Sequence, residues 1–184
     1  REFVNFNYRE YEDYIIKLIG SDDFSALKAH SLQEAIAGRL TDAQITRLRS
    51  VLKKGIQNNS SMRKIAQDIR TNVAPKDLYQ LDANGDFVLT KAGDKALVVS
   101  AAHRPINIAR TEIVRVSNEG AMAQYKDAGI EYVRWVATIS DRTCPQCLDL
   151  NTSVFPIREM VGKGPPLHNM CRCSLVGVTR LEAI

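Results

Sequence analysis

The 184-residue sequence has no cysteine in its first 143 residues, no long apolar run and no block of like charge. Because no apolar stretch approaches the roughly 18 residues that span a bilayer, we predict no membrane-spanning segment. The 25 basic and 21 acidic side chains are spread along the whole chain and give a net charge of +4. A strong nucleic-acid binder usually concentrates its basic residues on one face or tail. The sequence therefore allows only weak, non-specific contact with DNA.

The composition is that of an ordinary soluble globular protein, with 45% hydrophobic and 25% charged residues. It argues against a disordered, collagen-like or low-complexity chain. The length fits one domain or two small ones. The chain starts with Arg1 and has neither an initiating methionine nor a signal-like apolar stretch. We therefore expect a fragment, a processed product or the ordered part of a longer protein.

Residues 1–75 are predicted to form a helical N-terminal region, because their apolar residues recur at helical spacing. Natural stops at Gly20, Gly55 and Pro75 divide it into short helices, one of which spans about residues 24–40. Thr41 and Gln44 have the spacing of a capping box, which predicts that a helix begins there.

Residues 76–100 change character and predict a β-hairpin. Two short apolar stretches, residues 79–81 and 87–89, flank a segment that contains Asn84-Gly85, a pair typical of tight turns. The aspartates of this segment only partly match a calcium-binding loop, because the twelfth position is Gly93 and not glutamate. We favour a solvated turn.

The second half is predicted to contain a long helix over about residues 105–128, a strand over about 131–139 and a loop-rich knuckle over 141–178. The fold class is thus α+β, mainly α, with residues 76–184 forming a second domain. The strand alternation puts Val133, Trp135, Ala137 and Ile139 on one face, and Trp135 is predicted to point into a core. Small and apolar residues form a helix seam that another helix can approach closely: Ile106, Ala109, Ile113, Val116, Gly120 and Ala123.

Four cysteines and one histidine form a local cluster in the knuckle: Cys144, Cys147, His168, Cys171 and Cys173. Two cysteines separated by two residues can bind one zinc ion from a single turn, and a tetrahedral site needs four ligands in all. Four of these five residues are therefore predicted to hold a structural zinc. Arg142 and Arg172 flank the cluster and would offset the negative charge of its thiolates.

Other interpretations of the cluster stay open. Two disulfides are one alternative, and buried thiols without a bond are another. A catalytic zinc is less favoured, because five local donors leave no need for an open coordination position. A thioredoxin-like redox site would need a long helix after Cys144, and residues 148–155 do not have a helical pattern.

Residues 108–178 resemble the Mu F-like phage head morphogenesis proteins, also called minor head or minor capsid proteins. The stretches that match are Ile108-Ala109-Arg110-Thr111-Glu112, Asn118-Glu119-Gly120, Tyr125, Gly129, Trp135, Asp141-Arg142-Thr143-Cys144-Pro145-Gln146-Cys147, Phe155-Pro156, Pro165-Pro166-Leu167-His168 and Cys171-Arg172-Cys173. Two positions depart from the family pattern. Asn169-Met170 stands where the family often has Pro-Asn, and Asn151 stands where it often has glycine; asparagine also tolerates a left-handed backbone.

The resemblance implies a virion protein made in few copies, located in the head near the portal and present in the host cytoplasm during assembly. Its implied partners are the portal protein, the major capsid protein and further copies of itself. Its implied role is structural and not enzymatic, in head assembly or genome delivery. The alternative is a metal-dependent nuclease or toxin-like enzyme that uses the Cys/His cluster, with His168 activating water.

Overall fold

The computed structural model describes Asp13, residues 15–17, Ile19 and residues 40–179. It is a mixed helix and strand structure, 45% helical and 15% strand, with a long central helix, which confirms the predicted fold class. The predicted helix over residues 24–40 lies outside the described residues, apart from Leu40. The described elements are α1 (Asp42–Gln57), α2 (Met62–Asn72), β1 (Leu78–Tyr79), β2 (Leu97–Val99), α3 (Arg104–Asp127), β3 (Tyr132–Val136), α4 (Pro145–Asp149), β4 (Val154–Pro156), α5 (Ile157–Met160) and β5 (Ser174–Val178).

The chain divides into two compact units, Ser25–Arg110 and the combination of Arg1–Phe24 with Thr111–Ile184. The domain boundary predicted between residues 75 and 76 stays a prediction.

Helices α1 and α2 pack against each other in the first of these units. The predicted capping box opens α1: the Gln44 amide donates to Thr41 Oγ1 at 3.3 Å, and the Thr41 amide donates to Gln44 Oε1 at 3.0 Å. The two helices bury apolar side chains along their facing stripes, among them Leu48, Leu52, Ile65 and Ile69.

Gly55 does not end α1, so that prediction was wrong. The helix continues to Gln57, and Gly55 is buried at a close approach between the two helices. A Cβ atom built on Gly55 would lie 2.6 Å from Ile65 Cγ1, well inside van der Waals contact. Glycine is present here because of helix packing and not because of a helix stop.

We expect Gly55→Ala to destabilise the protein by about 1–3 kcal/mol, because the added methyl group overpacks this contact. The change would be measured as a loss in the free energy of unfolding in urea. Lys53→Ala, an exposed change two residues away, should stay within about 0.5 kcal/mol of the parent protein. Equal stability of Gly55→Ala and Lys53→Ala would contradict this prediction. It would mean that Ile65 moves away from the added methyl group at no cost in free energy.

The predicted turn at Asn84-Gly85 is confirmed. Leu81 and Phe87 form an antiparallel bridge, Gly85 has a φ of +89°, and Asp82 Oδ1 accepts from the amides of Asn84 and Asp86. The Asp82 carboxylate therefore stabilises the turn itself. The regular strand pairing of this region is between β1 and β2, which are antiparallel, and not between the two stretches beside the turn.

The second unit contains a three-stranded antiparallel sheet in the order β4-β3-β5. Trp135 is buried as predicted, and Val133 and Ala137 are buried with it, but Ile139 is 62% exposed and does not share their face. The strand ends at Val136, and the Ala137 amide donates to Asn151 Oδ1 and not to a neighbouring strand. The alternation of faces therefore stops before Ile139.

The long helix α3 begins and ends within one residue of its predicted bounds. Ala109, Val116 and Gly120 of the predicted seam are buried, whereas its other three residues are half-buried. The buried surface of α3 also includes polar side chains that the seam did not predict: Thr111, Glu112, Arg115 and Asn118.

Candidate metal centre

The first cysteine pair is presented by one short helix. Cys144 is the N-cap of α4, and its Sγ accepts from the Cys147 amide at 3.4 Å. The preceding turn is fixed by Thr143, whose Oγ1 donates to the Thr138 carbonyl at 2.6 Å and accepts from the Ser140 amide at 2.9 Å. Both sulfurs therefore belong to one rigid turn, as the two-residue spacing predicts.

The second half of the cluster is a loop that leads into β5. The loop turns at Met170, which has a φ of +61°, and the Cys171 amide donates to the His168 carbonyl at 3.2 Å. Thr111 on α3 holds this turn, because its Oγ1 donates to Asn169 Oδ1 and accepts from the Met170 amide, both at 3.2 Å. The long helix thus supports the loop that carries the histidine.

Asn118 holds the same loop two helical turns further along α3. Its Nδ2 donates to the Cys173 carbonyl at 3.3 Å, and its Oδ1 accepts from the Leu175 amide at 2.7 Å. The side chain is 5% exposed. Because this buried amide satisfies backbone groups on both sides of Ser174, the first residue of β5, it fixes the chain where the strand begins.

Two donor pairs of the cluster lie close to the separations that one tetrahedral ion requires. Cys147 Sγ lies 3.3 Å from His168 Nε2 and 3.9 Å from Cys171 Sγ. Zinc bonds of about 2.3 Å to sulfur and 2.0–2.1 Å to nitrogen set ligand atoms about 3.6–3.8 Å apart. Two groups form, each with its ligand atoms within 4.8 Å of one another: Cys144, Cys147 and His168, and Cys147, Cys171 and Cys173. Cys147 is common to both groups.

The orientation of His168 fits a metal ligand. Its Nδ1 lies 2.8 Å from the Asn169 carbonyl oxygen, which can only accept, so Nδ1 carries the proton. Nε2 is then the nitrogen with a free lone pair, and it is the one that points to Cys147. A backbone carbonyl that fixes the tautomer is a common partner of a metal-binding histidine.

A cavity of about 20 Å³ lies within the cluster. Such a volume holds a single ion or water molecule and excludes an organic ligand. The residues that line it include four of the five candidate donors and both arginines that flank the cluster in the sequence: Cys144, Cys147, His168, Cys173, Arg142 and Arg172. Arg172 is held there by a 2.7 Å hydrogen bond from its Nη2 to Ser140 Oγ.

The thiols are crowded, and this crowding opposes their ionisation. Burial raises the pKa of the Cys147 thiol, and the neighbouring cysteines raise it further. Burial also raises the pKa of Cys173, while Cys147 and the Trp135 indole act in the opposite direction. A divalent cation reverses this balance because it stabilises thiolates directly. The donor set therefore fits a bound metal ion.

All four cysteines are free thiols in the structure. The 3.9 Å between Cys147 Sγ and Cys171 Sγ is far longer than the roughly 2.05 Å of a disulfide bond. Helix α4, which follows Cys144, has only five residues. It is not the long helix that a thioredoxin-like site would need.

Several residues that shape the site lie in or between stretches that resemble the family, but the sequence predicted no role for them. Thr111 and Asn118 lie seven residues apart, two turns on one face of α3, and this spacing was the available signal. Between them lies a buried ion pair, in which Arg115 Nε and Nη2 donate to Glu112 Oε2 at 3.0 and 2.9 Å. Arg115 Nη1 also donates to both carboxylate oxygens of Glu119.

The left-handed backbone of this segment lies one residue after the position where the family often has glycine. Thr152, and not Asn151, has the positive φ, at +70°. Asn151 instead uses its side-chain oxygen to accept from the Ala137 amide at 2.9 Å. This hydrogen bond joins the end of β3 to the segment that follows α4.

Within the described residues, no helix has both the length and the apolar character needed to cross a membrane.

A family model described as phage Mu protein F like protein matches residues 46–176. The match covers more than two thirds of the chain and confirms the resemblance predicted from residues 108–178. It also extends to α1, α2 and the hairpin region, in which no family motif was found. No curated protein and no solved structure matches the chain.

Proposed function

The chain belongs to the phage Mu protein F-like family, and from that premise we propose that it is a minor structural protein of a tailed-phage head. The family is one of phage head morphogenesis, with capsid-related partners. The proposed place of action is the portal vertex, in head assembly or genome delivery. The observation that carries this proposal is the family match over residues 46–176, which includes the whole Cys/His cluster.

The proposed partners are the portal protein, the major capsid protein and further copies of this chain. The protein would be made in the host cytoplasm and end in the virion head. Its balanced charge supports protein partners over DNA, because 25 basic and 21 acidic residues leave little net attraction for phosphates.

The proposed role of the Cys/His cluster is to hold one structural zinc ion with four of its five donors. The segment between β3 and β5 contains only short elements, α4, β4 and α5. Such a segment gains much of its stability from a local crosslink. The 3.3 Å and 3.9 Å donor separations and the fixed tautomer of His168 support this role.

The nuclease or toxin-like alternative needs His168 as a free base beside a metal held by other residues. In the structure His168 Nε2 lies 3.3 Å from Cys147 Sγ, and its Nδ1 is engaged by the Asn169 carbonyl. Both nitrogens therefore have structural partners. This arrangement favours a ligand over a base.

The two functions are separated by two measurements on the complete protein. A structural role predicts that the protein co-purifies with mature particles and with isolated portal rings. It also predicts no DNA cleavage after incubation with magnesium or manganese. Cleavage that is lost in His168→Ala would support the enzyme, and absence from mature particles would contradict the structural role.

Asn118 offers a test of whether α3 supports the centre. We expect Asn118→Ala to weaken zinc retention roughly 10–100-fold, since partners outside the ligand set typically have effects of that size. Competition with a chromogenic chelator would measure the change. Glu131→Ala, an exposed change outside the cluster, is the control and should retain the parent affinity. If Asn118→Ala binds zinc as tightly as the parent protein, the loop keeps its conformation without the Asn118 hydrogen bonds.

A further inference from the structure

Five donors surround a site that needs four, so one of them must lie outside the coordination of the ion. We propose that Cys171 is the donor that does not bind the ion, and that the Trp135 indole N–H donates a hydrogen bond to the Cys173 sulfur. This proposal rests on the proposed zinc centre. The ligands are then three sulfurs and one nitrogen: Cys144, Cys147, His168 Nε2 and Cys173.

Cys171 is the one candidate donor that does not border the cavity. The other four all line it. Cys171 is 1% exposed and its sulfur lies 3.9 Å from Cys147 Sγ, so it is packed beside the cluster as a buried side chain. An ion placed in the cavity would therefore meet Cys173 and not Cys171 as its fourth ligand.

The backbone that follows Cys173 is fixed. Asn118 binds the Cys173 carbonyl and the Leu175 amide, and both bonds are buried. A ligand whose backbone is held in this way needs little reorganisation when the ion binds.

Trp135 supplies the independent observation. The indole is 1% exposed, and within the described residues its Nε1 makes no hydrogen bond of ordinary length and angle. Trp135 lies directly opposite Leu175 in the β3–β5 pairing, and Cys173 is two residues before Leu175. Side chains at such diagonal positions share one face of the sheet and can reach each other.

A buried N–H without an acceptor is unfavourable, and a metal-bound thiolate is a strong acceptor. Placing the ion at Cys173 gives this indole N–H a charged partner. The net charge also suits this set. Three thiolates and one neutral histidine around Zn²⁺ carry a net charge of −1, and Arg142 and Arg172 both line the cavity.

Cobalt(II) in place of zinc tests the ligand set, because the intensity of sulfur-to-cobalt charge transfer is proportional to the number of bound thiolates. The experiment uses the complete reduced protein, with Cys171→Ser and Cys173→Ser as a matched pair of single-atom changes. We expect three thiolates in the parent protein and in Cys171→Ser, with metal affinity changed less than threefold in the latter. Cys173→Ser should lose one thiolate and bind at least tenfold more weakly.

Four thiolates in the parent protein would overturn the ligand set, and so would a loss of one thiolate in Cys171→Ser. Either result would leave the metal centre itself standing. If the parent protein binds neither cobalt nor zinc, the proposed centre fails along with the ligand set. Because Cys171→Ser is expected to fold and bind, the test does not depend on the folding of Cys173→Ser.

Trp135→Phe keeps the ring and removes only the N–H donor. We expect a roughly 10–100-fold weaker affinity for cobalt, the usual range for partners outside the ligand set. We also expect a shift of the charge-transfer band to lower energy, because the sulfur loses a hydrogen bond that stabilises its electron pair. A change in packing alone would not move this band in that way. An unchanged band and affinity would overturn the role of Trp135.

Discussion

Arg115→Ala should lower the free energy of unfolding by about 3–5 kcal/mol, the cost of breaking a buried ion pair from one side. Arg115 is 3% exposed and Glu112 is 1% exposed, and both side chains project from α3. Two guanidinium nitrogens donate to Glu112 Oε2 at 3.0 and 2.9 Å. Without Arg115, the Glu112 carboxylate would stay buried and would lose the positive charge that it now contacts.

The size of this loss should depend on pH. Burial raises the pKa of Glu112, and Arg115 acts against that increase. Removing Arg115 raises the pKa further above that of the unfolded chain, so the folded variant binds the proton more tightly. The loss of stability is then largest at neutral pH and shrinks as the pH falls toward the ordinary glutamate range, about 4.3. Urea titrations at several pH values measure it.

Two further variants serve as controls. Glu112→Gln combined with Arg115→Met removes both charges, so it should cost less than Arg115→Ala alone. Glu119→Gln changes a side chain that is 26% exposed and should have a smaller effect. A loss in Arg115→Ala that is the same at every pH would point to lost packing and not to an uncompensated charge.

The sequence predicted the features whose signals are local. The Thr41–Gln44 capping box, the turn at Gly85 and the inward position of Trp135 each depend on residues a few positions apart. Local backbone and side-chain preferences determine such features, so spacing alone was sufficient. The cluster of four cysteines was equally visible, because its two halves have metal-ligand spacing.

The features that the sequence did not reveal depend on distant partners. Thr111 and Asn118 form hydrogen bonds with partners that lie 55 to 59 positions away along the chain. Polar residues on a helix are usually exposed, so the seven-residue spacing alone did not indicate that these were buried. Gly55 was interpreted as a helix stop for the same reason, since its contact with Ile65 exists only when two helices pack.

Cys147→Ser should have the largest effect on the metal centre. Cys147 is the one residue common to both groups of donors, and it is 2% exposed. Structural zinc contributes about 10–16 kcal/mol in small zinc-binding peptides, and that binding energy is also local folding energy. We therefore expect Cys147→Ser to lose the stoichiometric zinc, about one ion per chain, that metal analysis should find in the parent protein.

The loss should be local, within residues 141–178. The α1–α2 pair belongs to the other compact unit and has its own buried stripe, so it should stay folded. Hydrogen exchange should show faster exchange in α4 and in the loop before β5, with little change in α1. A zinc chelator added to the parent protein should reproduce the same pattern, since both treatments remove the same crosslink. Full protection of α4 in Cys147→Ser would show that packing alone holds the knuckle, and the ion would then be dispensable for its fold.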